Sequence, residues 1–196
     1  GAGDRIVIGG TIDTINSSVY RVYVYQKQTD NSWDQVLDIT NPTSIGINFG
    51  LSVAINNDGN VISIATQEDL DLDSVEHGQV IVYDLLGTGI SSNLTSSLRG
   101  SPIILDAIND GDTFGSSMSL NNDGTVLAIG TGSHNNFNGQ ALIYKYLNGE
   151  WIIVKTITGT NKSNLGGIHD YDMGSGQLIS DEDGICVDGT GELVII

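Results

Sequence analysis

Short apolar runs of five to eight residues, separated by turn residues, recur along the chain in a fixed order. One set comprises Arg5–Gly9, Val61–Ala65 and Val126–Gly130. The last isoleucines of these runs, Ile8, Ile64 and Ile129, are 56 and 65 residues apart. Runs of this length that are rich in Val, Ile, Tyr and Thr are typical of β-strands rather than helices. The pattern therefore predicts an all-β chain with an internal repeat.

Three further sets of runs keep the same register. A set that follows the first ends in tyrosine, at Val22–Tyr25, Val80–Tyr83 and Leu142–Tyr144. A set that precedes the first begins with Phe-Gly, at Phe49–Ile55 and Phe114–Leu120. A last set begins with tryptophan, at Trp33–Ile39 and Trp151–Thr158. Each unit therefore has strand A starting at Phe-Gly, strand B, a long loop, strand C ending in Tyr, a turn, and strand D.

An Asn-Asn-Asp-Gly sequence separates strand A from strand B, starting at Asn56 in one unit and at Asn121 in the next. Asp-Gly between two strands favours a tight hairpin, because both residues tolerate positive φ. The predicted turn residues are Asn57, Asp58, Gly59, Asn122, Asp123 and Gly124.

Four antiparallel strands repeated about every 60 residues predict an all-β fold made of β-propeller blades. The repeat units cover about residues 1–40, 49–99, 114–158 and, in part, 173–196, within a single domain over 1–196. About three blades are expected, whereas a propeller usually closes its ring with at least four. The interpretation is a partial propeller or a piece of a larger one.

The last part of the chain allows two strand assignments. In the first, Met173–Ser180 is a fourth strand A and Asp181–Gly184 is its turn. In the second, Asp188–Gly191 is the turn and Leu193–Ile196 is the last strand B. Both assignments stay open at the level of sequence.

Four signatures occur together in this repeat: Phe-Gly-x-Ser before apolar residues, Asn-Asp-Gly, Ala-Ile-Gly, and Gly-Gln before apolar residues and Tyr. In this combination the chain resembles the FG-GAP repeat family over residues 1 to about 160. The nearest likeness is the variant found in bacterial and viral surface proteins, and a more distant one is the propeller of integrin α-chains. The resemblance implies adhesion or structural display, and integrin-type repeats hold calcium in the A–B turn.

The calcium-binding form of that turn supplies oxygen ligands through the pattern Asp-x-(Asp/Asn)-x-Asp-Gly-x-x-Asp. Here Asn56 or Asn121 precedes Asp-Gly, and the first and last Asp of the pattern are missing. We expect turns held by Asn and Asp hydrogen bonds to their own backbone, with calcium as the alternative. A second candidate for a divalent ion is the densest acidic turn, which comprises Asp181, Glu182 and Asp183. No other cofactor is expected.

The net charge of the chain argues against several classes of partner. The 196 residues include 7 Lys and Arg against 24 Asp and Glu, a net charge of −17. Nucleic acid is excluded as a partner because its phosphates require basic side chains, and docking on anionic lipid is disfavoured for the same reason. No run of 18 apolar residues occurs, so membrane insertion is not expected. The single cysteine, Cys186, lies in an apolar run and is expected to be buried.

Acidic residues concentrate in the predicted B–C and D–A loops, which emerge at the same end of such blades. They are Glu68, Asp69, Asp71, Asp73, Glu76, Asp106, Asp110, Asp112, Asp170 and Asp172, and Asp13 belongs to the same class of loop. In an extended segment the acids at 69, 71 and 73 share one side. We expect these loops to form the ligand face. The acids themselves are interpreted as a solvated rim that keeps the protein soluble, and the alternative is that they hold Ca²⁺ or repel a neighbour.

Aromatic residues recur at strand positions: Tyr20, Tyr23, Tyr25, Trp33, Tyr83, Tyr144, Tyr146 and Trp151. We expect them to pack between blades, and the alternative is a platform that binds sugar.

These features favour a non-catalytic module for recognition or adhesion at a cell or particle surface, with a protein or glycan as its partner. Sequence motifs of hydrolases and phosphate-binding loops are absent. Arg5, Arg21 and Arg99 are too dispersed to grip a substrate carboxylate together. One alternative is a structural component of a virion or cell-surface layer, whose open blade edges pair with copies or with further blades. A glycan hydrolase is the other alternative.

Overall fold

The structure is a computed structural model that describes residues 3–14, 17–41, 48–67, 78–87, 94–105, 114–132, 138–160, 171–172, 177–178, 185–191 and 194–195. Within these ranges the chain forms antiparallel sheets whose neighbouring strands nearly always follow one another in the sequence. Chain segments that are adjacent in sequence therefore also pair in space.

The strands group into three repeat units and two short pairs. Unit 1 contains β1 (Arg5–Thr14), β2 (Ser17–Lys27) and β3 (Trp33–Thr40). Unit 2 contains β4 (Val53–Ile55), β5 (Val61–Gln67), β6 (Gly78–Leu86), β7 (Thr95–Leu98) and β8 (Ile103–Leu105). Unit 3 contains β9 (Phe114–Leu120), β10 (Val126–Thr131), β11 (Gln140–Leu147) and β12 (Glu150–Thr158). The pairs are β13 (Tyr171–Asp172) with β14 (Gln177–Leu178), and β15 (Cys186–Val187) with β16 (Val194–Ile195).

The predicted order A-B-C-D is present in units 2 and 3, and unit 1 supplies B, C and D. In unit 2 strand D is split: β7 pairs with the second half of β6, and β8 pairs with the first half. Strand A of unit 2 is shorter than predicted, because Asn48–Leu51 forms a turn closed by the Leu51 N–H donating to the Asn48 carbonyl at 2.8 Å. The positive φ of Gly50, 86°, suits the third position of a type II turn.

Unit 1 differs from the prediction in its B–C connection. Instead of a long loop, β1 and β2 stay paired up to Thr14 and Ser17. Asp13 therefore lies in a strand, opposite Ser18. Thr, Ile and Val in this stretch favour extended pairing, which continues the hairpin beyond the core of the unit.

The hydrophobic core consists of layers between successive sheets. Between units 1 and 2 lies a cluster that includes Val22, Val24, Phe49 and Ile62. The next cluster lies between units 2 and 3. A third, smaller one joins unit 3 to Ile185, next to β15. Because β10 and most of β6 are buried, the middle strands carry apolar side chains on both faces. Tyr83 and Tyr144 belong to these layers, as predicted for packing between blades, and burial raises the pKa of both phenols.

The Phe-Gly pair that opens strand A is the point of closest approach between units. Phe49 and Phe114 are both almost fully buried. Gly50 has a φ of 86° and Gly115 a φ of 81°, conformations that favour glycine. A Cβ on Gly50 would come within 2.7 Å of Val22. One on Gly115 would meet Ala65 at the same distance. The glycine therefore lets each unit seat its phenylalanine against the preceding sheet.

The A–B turns also connect successive units. Arg5 donates to the carbonyl oxygen of Gly59 at 2.8 Å, and Asn56 Nδ2 donates to that of Asn122 at 3.0 Å. The Asn122 N–H in turn donates to the carbonyl oxygen of Gly189 at 3.1 Å. Hydrogen bonds thus run from each turn to the next along one end of the stack.

The C-terminal part follows the second of the two strand assignments. The Asp188–Gly191 turn joins β15 to β16, and a Cβ on Gly191 would meet Val126 of unit 3 at 2.7 Å. One unit earlier, a Cβ on Gly124 would meet Val61 at the same distance. The first assignment places β14 in a strand A that would pair with the strand after the Asp181–Gly184 turn. It is wrong within the described residues, because β14 pairs with β13 and β15 pairs with β16.

Cys186 is exposed, and the expectation of a buried thiol is wrong. Its neighbour Ile185 is buried in the layer against unit 3. Because side chains alternate along an extended segment, one of two consecutive residues points away from the core. An apolar run therefore does not by itself show which of its members is buried.

Arg99 joins units 2 and 3 at the break between β7 and β8. Its guanidinium donates to Asp84 at 2.6 Å and lies over the Tyr146 ring, 4.5 Å from the centroid. The Trp151 indole N–H donates to the Arg99 carbonyl oxygen at 2.9 Å, and the rings of Tyr146 and Trp151 are 5.2 Å apart. This arrangement, the Arg99 clasp, fastens the β11–β12 hairpin to the preceding unit.

The fold is therefore all-β, made of blades of the β-propeller type that stack through buried apolar layers. In the described part of the chain, no helix has the length and apolar character needed to cross a membrane.

We predict that Gly124→Ala destabilises the fold more than Gly149→Ala. Both glycines have positive φ, so each substitution costs about 1 kcal/mol of backbone strain. At Gly124 the new Cβ also lies 2.7 Å from Val61, whereas nothing lies within 4 Å at Gly149. Urea unfolding should give a loss of about 2–4 kcal/mol for Gly124→Ala and about 1 kcal/mol for Gly149→Ala. Equal losses would show that the turn at Gly124 is not in close contact with strand β5 of the preceding unit, where Val61 lies.

We also predict that Arg99→Lys costs about 1–2 kcal/mol of stability, because lysine keeps the charge but lacks the planar group that stacks on Tyr146. The control is Arg21→Lys in the exposed pair Arg21–Asp38, at 2.7 Å, where the loss should stay below about 0.5 kcal/mol. The same unfolding experiment checks both variants. A similar loss in both would argue against the Arg99 clasp.

Candidate functional site

The blades have two chemically different ends. The turn end carries the A–B turns Asn56–Asn60, Asn121–Thr125 and Asp188–Gly191. The loop end is the opposite one, where the B–C and D–A connections emerge. Because strands in each sheet alternate in direction, this division holds in every unit.

Asn56 and Asn121 hold the A–B turns with their side chains. Asn56 Oδ1 accepts hydrogen bonds from the N–H groups of Asn60 and Val61, at 3.0 and 2.9 Å. Asn121 Oδ1 accepts the two equivalent bonds from Thr125 and Val126, both at 2.9 Å. Both asparagines are buried. The predicted side-chain-to-backbone bonding is confirmed for the first Asn of each motif and for Asp123, whose Oδ1 accepts from the Thr125 N–H at 3.1 Å.

The residues between each Asn and Gly point to solvent. Asn57, Asp58, Asn122 and Asp123 are exposed. The Thr125 hydroxyl donates to Asp123 Oδ1 at 2.6 Å and lowers the pKa of that carboxyl. Within the described residues, no three His, Cys, Asp or Glu side chains come together as a metal-binding group. At the turn end, the side-chain oxygens of Asn56, Asn121 and Asp123 thus hold their own turns.

Most acidic candidates fall outside the described residues. These are Glu68, Asp69, Asp71, Asp73, Glu76, Asp106, Asp110, Asp112 and Asp170 of the loops, together with Asp181, Glu182 and Asp183 of the acidic turn. Asp172 lies in β13, opposite Gln177, and not in a loop as predicted. The loop-face interpretation of the other acids stays a prediction.

A pocket opens at the loop end, at the junction of units 1 and 2. It has a volume of about 110 Å³ and is lined by Gly9, Gly10, Tyr20, Asn48, Phe49, Gly50 and Leu51. Strands β1 and β2 supply one wall, and the turn before β4 supplies the other. We call it the junction pocket.

The lining of the junction pocket departs from the repeat at Tyr20. In the strand registers, Tyr20 takes the place that Gly78 holds in unit 2. A Cβ on Gly78 would overlap the side chain of Phe114, so only glycine fits at that position of the second junction. At the equivalent position of the first junction, Tyr20 carries a phenol and lines the pocket.

Two further substitutions within the repeat coincide with the pocket. Leu51 is 46% exposed, whereas Ser116, which follows the next Phe-Gly pair, is buried. Gly10 stands where unit 2 has the buried Thr66. A Cβ on Gly9 would overlap the Gly50 carbonyl oxygen. The backbone of β1 is therefore in direct contact with the backbone of the turn before β4 beside the pocket. The pocket thus combines an aromatic ring, an aliphatic side chain, an amide and bare backbone.

This lining sets limits on the chemistry. None of the seven lining residues is charged or a usual nucleophile, and Tyr20 shows no partner base among them. The volume is small beside the roughly 300–1,000 Å³ that holds a drug-sized ligand. The junction pocket can therefore receive one end of a neutral ligand and offers no group for acid–base chemistry.

Sequence reasoning placed Tyr20 between blades and overlooked the pocket. The signal was available in the alignment of the units, as three positions that differ from their equivalents in the following unit: Gly10 and Tyr20 of unit 1 and Leu51 of unit 2. Each difference looks ordinary alone. Only the strand register shows that all three meet at one junction.

No protein-family model matches this sequence, and no curated protein matches it. Among solved structures, a protein from Lactobacillus plantarum is similar over 93% of this chain and 57% of its own, with 13% identity and a TM-score of 0.44. The chain spans little more than half the length of that protein. The fold therefore rests on the strand pairing and sheet contacts of the chain itself.

We predict that millimolar Ca²⁺ shifts the melting temperature by no more than about 1 °C, because the Asn56 and Asn121 oxygens already accept two hydrogen bonds each. Differential scanning fluorimetry with Ca²⁺, Mg²⁺ or EDTA checks this. A stabilisation of several degrees by Ca²⁺ alone would contradict it. The variant Asp181→Asn with Asp183→Asn would then tell whether the ion is held at the C-terminal acidic turn.

Proposed function

We propose that the chain is a non-catalytic recognition module of a cell or particle surface, and that its repeats belong to the FG-GAP type. The module presents a rigid stack of blades whose loop end contacts a protein or glycan. An extracellular or virion-surface location is part of this proposal, because adhesion takes place there.

The unequal use of the two ends is the observation that carries the proposal. At the turn end, hydrogen bonds from Arg5, Asn56 and the Asn122 backbone link one unit to the next. The junction pocket lies at the loop end, where the sequence also predicts the acidic connections. A locked scaffold that carries variable loops is the usual arrangement of binding proteins.

The FG-GAP assignment is supported by the role of Phe-Gly. In both units that contain the pair, the phenylalanine is buried between sheets and the glycine has positive φ. Gly50 and Gly115 make equivalent contacts with the preceding unit. The signature thus corresponds to the junction between blades.

The placement of the arginines favours binding over glycan hydrolysis. Arg5 bonds Gln26 and Gly59, Arg21 pairs with Asp38, and Arg99 belongs to its clasp. These contacts lie in different parts of the stack. A pocket that grips a substrate carboxylate would need them to converge.

A second candidate function is a structural component of an assembly, and one observation favours it. Ile6 and Ile8 on β1 are 40% and 47% exposed, whereas their equivalents in units 2 and 3, among them Ile62 and Ile64, are fully buried. In those units the face is covered by the preceding sheet. Sheet 1 thus presents a face suited to a further blade.

The test compares the two ends of the module. Fluorescently labelled protein is incubated with intact cells, and binding is measured by flow cytometry. Replacing residues 68–77 by a Gly-Ser linker should abolish binding, whereas Asn57→Ser with Asp58→Ser at the turn end should leave it unchanged. Equal effects of both changes, or release of reducing sugar from the cells, would contradict the proposal. A concentration-dependent oligomer in light scattering that Ile8→Lys dissolves would favour assembly instead.

A further inference from the structure

We propose that two copies of this chain pair through strand β12 and form a dimer with two-fold symmetry. Strand β12 lies at one end of the four-stranded sheet of unit 3, and within the described residues its outer edge pairs with no strand. An open edge of this kind is a template for a further strand. The pairing does not involve the loop end, so the dimer is independent of the proposed recognition function.

Three consecutive apolar residues are exposed on this edge strand. Ile152, Ile153 and Val154 are 46%, 47% and 54% exposed. Strand β3 has the equivalent place in unit 1, and by the strand registers its Asp34 and Gln35 correspond to Ile152 and Ile153. A charged side chain on an edge strand opposes pairing with a copy of the same strand. Unit 1 has this protection, and unit 3 lacks it at the same two positions.

The hydrogen bonds within the sheet determine which backbone groups of β12 face the open edge. The Tyr146 N–H donates at 2.8 Å to a carbonyl oxygen just before β10. Because backbone groups alternate in direction along a strand, those of the preceding residue, Lys145, point to β12, where Ile152 is opposite. The N–H and C=O groups of Trp151 and Ile153, on either side of Ile152, therefore point to the open edge.

A two-fold axis at Ile152 gives an antiparallel register in which the two edges match. Ile152 then faces the partner's Ile152, and Trp151 pairs with the partner's Ile153 through the backbone groups that point outward. Opposite side chains on antiparallel strands lie about 5 Å apart, so the two isoleucines at the axis cover each other. Each copy thus buries the apolar surface that the other exposes.

The charges of the strand agree with the same register. Val154 is an extra residue at a bulge, so Glu150, Ile152 and Lys155 follow one another on one face of the sheet. Glu150 and Lys155 are each one place from the axis, on opposite sides, so each faces the opposite charge on the partner. Both are exposed, and neither belongs to an ion pair within the described chain.

The uneven distribution of charge permits contact between copies at this place. The chain as a whole carries a net charge of −17, which opposes association. Within residues 138–160, however, the charged residues are Lys145, Glu150 and Lys155, so this stretch is slightly basic. Strand β12 therefore brings two copies together where their mutual repulsion is low.

The two-fold axis reverses the direction of the second copy. Strand β12 runs from the turn end to the loop end, and in an antiparallel pair the partner's loop end lies at the opposite side. A dimer of this form can bridge two binding partners, and this consequence alone rests on the proposed recognition function. A two-fold interface is closed, so assembly stops at two copies.

Analytical ultracentrifugation of the full chain at increasing concentration tests the dimer. An interface made by one pair of strands is small, so we expect a dissociation constant of about 0.1 mM. Ile152→Asp introduces the residue of unit 1 at the axis and should weaken the dimer about tenfold or more. Leu98→Asp is the matched control, because Leu98 is also exposed and lies in unit 2, and it should dimerise like the wild type.

Charge reversal tests the register. Glu150→Lys or Lys155→Glu alone places like charges opposite each other at two sites, and each should weaken the dimer about fivefold or more. The two changes together restore opposite charges and should return the dissociation constant to within about twofold of the wild type. The proposal is overturned if the wild type is monomeric up to about 1 mM, if the double variant is no better than the single ones, or if copies add beyond two.

Cells separate the dimer from the recognition function. Above the dissociation constant of the dimer, the wild type should cluster cells under the microscope, whereas Ile152→Asp should bind cells without clustering them. A dimer in the ultracentrifuge together with no cell binding by the wild type would reject the recognition function and keep the dimer. Clustering that Ile152→Asp preserves would overturn the bridging role of β12.

Discussion

Burial of the middle strands between neighbouring sheets is the constraint on which this structure depends. Each sheet has an apolar face toward the unit before it and another toward the unit after it, so one blade alone would leave both in water. The close fit at Phe-Gly makes the stacking specific, because only a glycine there allows phenylalanine to reach the preceding sheet. Local stability and the order of the units thus have one physical origin.

The same constraint shapes the two ends of the described stack differently. At the turn end, the side-chain oxygens of the buried Asn56 and Asn121 accept hydrogen bonds from backbone N–H groups, and each turn contacts the next. At the loop end the junctions are free to differ. At one of them a tyrosine in place of a glycine lines the junction pocket, while the layers beneath remain packed.

The sequence was a good guide wherever a local rule determines the structure. Apolar runs and Asn-Asp-Gly predicted the strands and hairpins of units 2 and 3, since strand period and turn chemistry act over a few residues. It was a poor guide where the outcome depends on distant neighbours. Cys186 is exposed because of the register of its segment, and Asp13 lies in a strand because β1 and β2 stay paired. The junction pocket and the Arg99 clasp both depend on contacts between units, which no single stretch of sequence contains.

The exposed face of sheet 1 has a consequence for how the molecule opens. Unit 2 is enclosed on both sides, whereas unit 1 is covered on one side within the described chain, so the free energy of local opening should rise from unit 1 toward unit 2. The junction pocket spans these two units, and a molecule seated in it would hold the weaker one against the stronger. Occupancy would then slow amide hydrogen exchange in β1 and β2, far beyond the few residues that it touches.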